Sequence, residues 1–223
     1  MTSPVGGHAQ LREASRERLD DLRRVYERRS DEYIATTPDQ VEGSMKVWMD
    51  ATVRNLACDA SILELGSGSG RDAAYFESLG FTVQRSDVAR PFVERLRSMG
   101  HHAEIIDAVR DPFPMDLDVI FANAVVCHFE KDQFREFLRR ARGSLKWEGT
   151  LSFSTKYGAK YKSSSPQDRL GDVREFSEWP TDELCDYLKM SGFDVEFLEV
   201  TGALRSSSRW INVVARRALP ALF

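Results

Sequence analysis

The stretch Ser61-Ile62-Leu63-Glu64-Leu65-Gly66-Ser67-Gly68-Ser69-Gly70 restricts the fold more than any other part of the chain. A short apolar strand runs into three alternating glycines, and Ala73 to Leu79 then reads as a helix stopped by Gly80. Glycine adopts backbone angles that other residues avoid, so the main chain can turn sharply here and let a ligand approach it closely. The same rhythm continues downstream. Strands are expected at Phe81 to Gln84, Ala103 to Ile106, Leu117 to Ala122 and Thr150 to Ser154, with helices at Pro91 to Met99, Lys131 to Leu145 and Thr181 to Met190, the last capped by Thr181. Strands at Val195 to Val200 and Trp210 to Ala215 close the chain. Strand–helix alternation with apolar strands predicts an α/β fold, a doubly wound sheet covered on both faces. Seven strands are counted, and because two follow the last helix, the last is expected to run antiparallel.

Ahead of this pattern, Leu11 to Tyr33 reads as a charged amphipathic helix with Leu11, Leu19, Leu22, Val25 and Tyr26 approximating one stripe. A second helix is expected to start at Thr37-Pro38 and run through Val47, Trp48 and Val53. Residues 1–56 are therefore read as a helical N-terminal cap, and residues 57–223 as one globular ligand-binding domain. The segment from Lys156 to Arg174 is expected to be a long loop, of the kind that often forms lids.

Composition removes several classes. Among 223 residues, 31 Lys+Arg face 35 Asp+Glu, which argues against holding nucleic acid by bulk phosphate neutralisation. No apolar run is long enough to span a bilayer, and MTSPVGGHAQ does not read as a secretory signal, so a cytoplasmic protein with no membrane partner is expected. Cys58, Cys127 and Cys185 are scattered and odd in number, which excludes a disulfide framework or a paired-cysteine metal site.

The ligand follows from the charges beside the glycine turn. Asp87 ends the second strand, 17 residues after Gly70, where a carboxylate can accept both hydroxyls of a ribose. The spacing is G-x-G-x-G rather than the dinucleotide G-x-G-x-x-G, and Glu64 stands in the strand end. A carboxylate there would repel a pyrophosphate and suits a cation. S-adenosylmethionine, with its ammonium, sulfonium and ribose, fits. A nicotinamide oxidoreductase is disfavoured by the same spacing.

Glu64 to Gly70, Asp87, Asp107-Ala108 and a histidine after the fourth strand resemble the class I S-adenosylmethionine-dependent methyltransferases, over about Ser61 to Arg217. Gly70-Arg71-Asp72, Lys156-Tyr157-Gly158 and Arg209-Trp210 are similar to a small bacterial branch that contains the tellurite-resistance methyltransferases. The resemblance implies a Rossmann-like sheet, S-adenosylmethionine as cofactor, the methionine moiety at Glu64 and the glycine turn, the ribose at Asp87 and the adenine at Asp107. The full expected cofactor set is Glu64, Gly66, Ser67, Gly68, Gly70, Arg71, Asp87, Asp107, Ala108 and Asn123.

Alignment is the main task in methyl transfer, and a base is needed only when the acceptor carries a proton. His128, following strand four, is the one histidine placed at the ligand edge, as base or orienting group. Cys127 reads as a small buried filler, and no metal is expected. Tyr26, Tyr33, Lys156, Tyr157, Arg174 and Arg209 are the candidate substrate contacts. The three cations among them, Lys156, Arg174 and Arg209, predict a small, anionic acceptor methylated on oxygen or another heteroatom. The alternative is a non-catalytic regulatory protein that binds the cofactor alone. Nucleic-acid methylation lacks support: Ala122-Asn123-Ala124-Val125 stands where an Asn-Pro-Pro-Tyr-type motif would.

Overall fold

The computed structural model describes the backbone of residues 5–168, 172–202 and 208–220. Its centre is a sheet in which β1 (Ser61–Leu65), β2 (Thr82–Asp87), β3 (Ala103–Ile105), β4 (Leu117–Ala122) and β5 (Leu145–Tyr157) lie in the order β3-β2-β1-β4-β5, all parallel. On the far side of β5, β9 (Arg209–Arg217) runs antiparallel over Thr150–Lys156, and β8 (Phe193–Gly202) pairs antiparallel with β9. These seven strands are the expected Rossmann-like sheet with its antiparallel last strand.

Two further strands were not expected. The segment read as a loop is a hairpin of β6 (Lys162–Asp168) and β7 (Val173–Trp179). Alternating polar residues disguise β7, yet Arg174, Phe176 and Trp179 are buried. β7 pairs with the end of β5, Lys156↔Glu178 and Tyr157↔Trp179, while Lys156 also faces Trp210 of β9. A strand has two edges, so β7 occupies the β4 side of β5 beyond the end of β4. The hairpin thus stands over the carboxyl end of β4.

β2 runs to Asp87 despite the polar Gln84-Arg85. Arg85 is 2% exposed because its guanidinium forms a two-pronged pair with Glu77, at 2.6 and 2.7 Å. Glu77 belongs to α4 (Arg71–Ser78), so that helix is fastened to the strand that presents Asp87. α5 (Arg90–Ser98), α6 (Lys131–Ser144) and α7 (Thr181–Met190) follow the expected positions. The N-cap of α7 is Pro180, and Thr181 makes no side-chain cap, contrary to the expectation.

The N-terminal helices differ from the reading. α1 (Val5–Arg28) and α2 (Ser30–Thr36) replace one helix, and α3 begins at Gly43, not at Pro38, running Gly43–Val53. α3 is an integral part of the core. Trp48 is buried, stacks on Phe121 at 4.8 Å between centroids, and donates its indole N–H to the Val213 carbonyl at 3.0 Å. Among the described residues, no helix is long and apolar enough to cross a membrane.

Candidate functional site

The carboxyl ends of β1, β2 and β4 open into a cavity roofed by α1 and α2. Its floor is the glycine turn. Gly66, Gly68 and Gly70 have φ of 73°, 48° and 84°, the left-handed region where a side chain is strained. Space is short as well: a Cβ at Gly66 would lie 2.4 Å from Val125 Cγ2, and one at Gly68 3.1 Å from Tyr33 Cε1.

Of the expected cofactor residues, Gly66, Gly68, Asp87, Asp107, Ala108 and Asn123 line the cavity. Asp87 accepts the Gly68 N–H and the Ala89 N–H, both at 2.9 Å, one on each oxygen. Each oxygen keeps a second lone pair for a hydroxyl. Burial, only partly offset by these amides, pushes its carboxyl up to about 6. Asp107 accepts the N–H groups of Val109 and Arg110 on Oδ1, at 2.8 and 3.0 Å, and so shapes the loop that follows β3. Asn123 is fixed from both ends: its amide donates to Asp72 at 2.8 Å and its carbonyl accepts from Ser154 at 2.7 Å.

Glu64, Ser67, Gly70 and Arg71 stand behind the cavity wall. Ser67 stitches the turn to β2, accepting the Ser86 N–H at 3.1 Å. Arg71 pairs with Asp72 at 2.6 Å. Glu64 is 2% exposed, and its Oε2 has no hydrogen-bond partner. Desolvation, with the Asp72 carboxylate adding to it, holds Glu64 well above the ordinary carboxylate range. A buried carboxylate short of a partner favours a nearby cation. The residues present therefore fit a ligand that brings an ammonium to the turn and a ribose to Asp87. In S-adenosylmethionine these groups accompany a methyl activated on a sulfonium.

The wall facing the glycine turn is built from a hydrogen-bond chain. His128 is in the short 3₁₀ turn Val126–His128, and its Nδ1 lies 2.9 Å from the Glu175 carbonyl. A carbonyl only accepts, so Nδ1 carries the proton and Nε2 is bare. Nε2 then accepts the Tyr26 hydroxyl at 3.0 Å, and the Tyr26 oxygen accepts Arg174 Nη1–H at 3.1 Å. Burial, with the cations Arg174, Arg18 and Lys156 acting the same way, drives His128 down to about 3. It is a neutral imidazole. Desolvation pushes the half-buried Tyr26 phenol up, so it keeps its proton. Tyr33 packs edge-on against Tyr26 at 5.7 Å and Phe92 at 5.4 Å.

Tyr26, Tyr33 and His128 line the cavity, but Lys156, Tyr157, Arg174 and Arg209 do not. Arg174 reaches it through Tyr26. Lys156 is buried over the Phe176 ring at 4.1 Å, and Arg174 lies 5.4 Å from the same ring. Arg209 stands apart, exposed, over Tyr157 at 4.4 Å. The expected rim of three cations is therefore two buried cations behind the wall and one outside. Cys127 is fully buried, with its thiol pushed up to about 12 by desolvation, and serves as filler. The sequence reading missed Phe92, Val125 and Phe129 as lining residues. Leu19 and Leu22 also line it, and their helical spacing to Tyr26 was the available signal.

Residues 63–153 match the family model described as a methyltransferase domain. Among solved structures, the chain is similar to the 1,6-didemethyltoxoflavin-N1-methyltransferase of Burkholderia thailandensis, with 18% identity and a TM-score of 0.66, covering 98% of this chain and 92% of that one. A structure named as the DhpI-SAM-HEP complex gives 18% identity and a TM-score of 0.64, over 97% and 100% of the two chains. A SAM-dependent methyltransferase of Methanosarcina mazei gives 15% and 0.64, over 75% and 96%. No curated protein matches the sequence. Residues 63–153 thus carry a methyltransferase domain on a sheet with the fold of S-adenosylmethionine-dependent methyltransferases, and together with a turn that fits the cofactor's ammonium and ribose they indicate an enzyme of that activity.

Proposed function

We propose that the acceptor is a small molecule carrying negative charge, methylated on oxygen or another heteroatom. The observation that carries this reading is the chain Arg174–Tyr26–His128, which ends on the cavity wall. Arg174 is 6% exposed, its Nε has no hydrogen-bond partner, and it forms no ion pair among the described residues. An uncompensated buried charge is costly, and an anion in front of Tyr26 would relieve it. The resemblance to the tellurite-resistance branch points the same way, since its acceptor is an oxyanion. The neighbour named as an N1-methyltransferase supports heteroatom transfer in general.

On this reading the chain's own residues align rather than deprotonate. Tyr26 and Tyr33 close the acceptor side, the single Tyr26 proton being held by His128, and the positive charge of Arg174 behind the phenol favours an anionic nucleophile in front of it. An ionised acceptor needs no base, which agrees with an imidazole too weakly basic to take a proton at neutral pH. His128 is then a positioning residue that sets the direction of the Tyr26 hydroxyl. Glu64, Gly66, Gly68, Asp87 and Asp107 hold the cofactor.

The test is a panel of small carboxylates, phenolates and phosphates beside neutral heteroaromatic amines, read by S-adenosylhomocysteine formation. The reading expects turnover of an anionic acceptor, reduced by ~10²-fold in Arg174→Met with cofactor affinity kept, a loss of a few kcal/mol in transition-state binding. Preference for a neutral acceptor, indifferent to Arg174→Met, overturns it.

A further inference from the structure

A second cleft lies at the opposite edge of the sheet. Its walls are the C-terminal turns of α6 and α7, together with Arg217 at the end of β9. β9 is antiparallel, so its last residue sits at the amino ends of the parallel strands, the edge away from the glycine turn. The cleft has a volume of ≈ 480 Å³, and five basic side chains line it: Arg135, Arg139, Arg142, Lys189 and Arg217. No carboxylate is among its lining residues. For a protein with a formal charge of -4, this is a strong local concentration of positive charge.

Two of the five are answered locally. Arg135 pairs with Asp132 and Arg139 with Glu136, each at 2.6 Å. Arg142, Lys189 and Arg217 form no ion pair among the described residues. The two helix C-termini explain part of this, since each carries only about half a negative charge. Three cations against roughly one unit of dipole charge leave the cleft positive.

Arg217 is held in place, and Arg142 packs beside the chain at Gly192. The Arg217 guanidinium lies 3.8 Å from the Trp147 ring centroid and donates through Nη1 to the Leu145 carbonyl. Its Nε is buried without a hydrogen-bond partner. Arg142 packs where Gly192, at φ 77°, leaves room: a Cβ there would lie 2.7 Å from Arg142 Nε. Desolvation, with the positive charge of Arg142 adding to it, lowers Arg217. Guanidinium groups that share one cleft present planar forks to phosphate oxygens.

We propose that this cleft is an anion-binding site, remote from methyl transfer, that takes a small ligand with two adjacent phosphate groups held by Arg142, Lys189 and Arg217. Its capacity is that of a ligand site rather than an ion-sized notch. The charge of a diphosphate matches the three unanswered cations.

The test is calorimetric titration of the full chain with pyrophosphate, in saturating S-adenosylhomocysteine so that the methyl-transfer cavity is filled. One-to-one binding is expected, at least about tenfold tighter than inorganic phosphate. Arg142→Met and Lys189→Met are each expected to weaken it about tenfold or more while leaving the melting temperature and S-adenosylhomocysteine affinity in place. Both residues are exposed, so folding is not at stake. Affinity is expected to fall steeply between about 0.05 and 0.3 M salt, as charge screening requires. ADP in place of pyrophosphate separates the sources: tighter binding names a nucleoside diphosphate, and equal binding names the free anion. Absence of binding at millimolar pyrophosphate overturns the proposal. So does binding unchanged in both variants.

Discussion

The hydroxyl of Tyr26 and Nε2 of His128, 102 residues apart in sequence, are 3.0 Å apart in the cavity wall. This bond joins the N-terminal helix α1 to the turn after β4, and through Arg174 it also reaches the added hairpin. Three separate segments are therefore tied by one phenol.

Tyr26→Phe removes that phenol without changing the ring. Arg174 Nη1 and His128 Nε2 then lose a partner in a buried place, at a cost of about 1–3 kcal/mol. Urea unfolding is expected to show a lower midpoint with an unchanged slope. His128→Phe is expected to cost a similar amount, and the double variant less than the sum, because both changes break one bond. Strict additivity would show that the two side chains do not act together.

Asp87 sets a pH dependence. Its folded value, about 6, is above the ordinary carboxyl value of 3.8, so the folded state holds the proton more tightly than the unfolded one. The stability this group contributes is complete below its unfolded value and is lost as pH rises through about 6. Ribose binding runs the other way, because the ionised carboxylate is the better acceptor. Calorimetry with S-adenosylhomocysteine is expected to show affinity rising as pH passes about 6, with a further rise at higher pH from Glu64. Asp87→Asn should abolish the lower step and weaken binding about tenfold or more. A flat profile in the parent protein would remove Asp87 from the ribose site.

Gly66→Ala and Gly68→Ala separate strain from steric exclusion. Both positions require positive φ, but the Gly66 Cβ meets Val125 at 2.4 Å whereas the Gly68 Cβ meets the Tyr33 ring edge at 3.1 Å. Backbone strain of order 1–3 kcal/mol is common to both. Gly66→Ala is expected to be the more destabilising, because Val125 must move. Gly68→Ala is expected to keep more stability and to lose cofactor affinity. Thermal melting with and without S-adenosylhomocysteine distinguishes them, and the reverse ranking would contradict the geometry.

The roof must open. The cavity beneath α1 and α2 encloses ≈ 100 Å³, below the ~300–1,000 Å³ typical of a small-molecule site. α1 is held by Arg18 to Glu175 at 3.3 Å and by Asp20 to Arg110 at 2.6 Å, and Arg28 meets Asp172 at 3.3 Å. Such partly exposed pairs contribute about 0–1 kcal/mol each and are screened by salt. Stopped-flow release of S-adenosylhomocysteine is expected to quicken several-fold in high salt, and in Asp20→Asn combined with Asp172→Asn without added salt. Rates unaffected by either treatment would mean that these pairs do not hold the roof.

The strand–helix rhythm, the glycine turn and Asp87 were legible in the sequence because each is a local property. Periodicity, a positive-φ requirement and an acid at a strand end are written over a few neighbouring residues. Even where the reading faltered, at the polar Gln84-Arg85, the strand held because Glu77 answers Arg85 across the α4–β2 contact. The hairpin β6–β7 was hidden for the opposite reason. Its strands are stabilised by pairing with each other and with the last residues of β5, and their polar residues carry little strand signal of their own.

The sequence by itself determined the doubly wound sheet and the chemistry of a turn suited to a cationic nucleoside ligand. Only the tertiary structure decided which side chains share a cavity with it. Tyr26 and Tyr33 reach the glycine turn because α1 and α2 fold back over the carboxyl edge. Arg209, by contrast, is left outside on Tyr157. It also placed Arg142 beside Arg217, 75 positions away, in a cleft that no local pattern marks. Such juxtapositions depend on how separate elements pack and on the loop closures that bring them together, and residue spacing along the chain does not encode them.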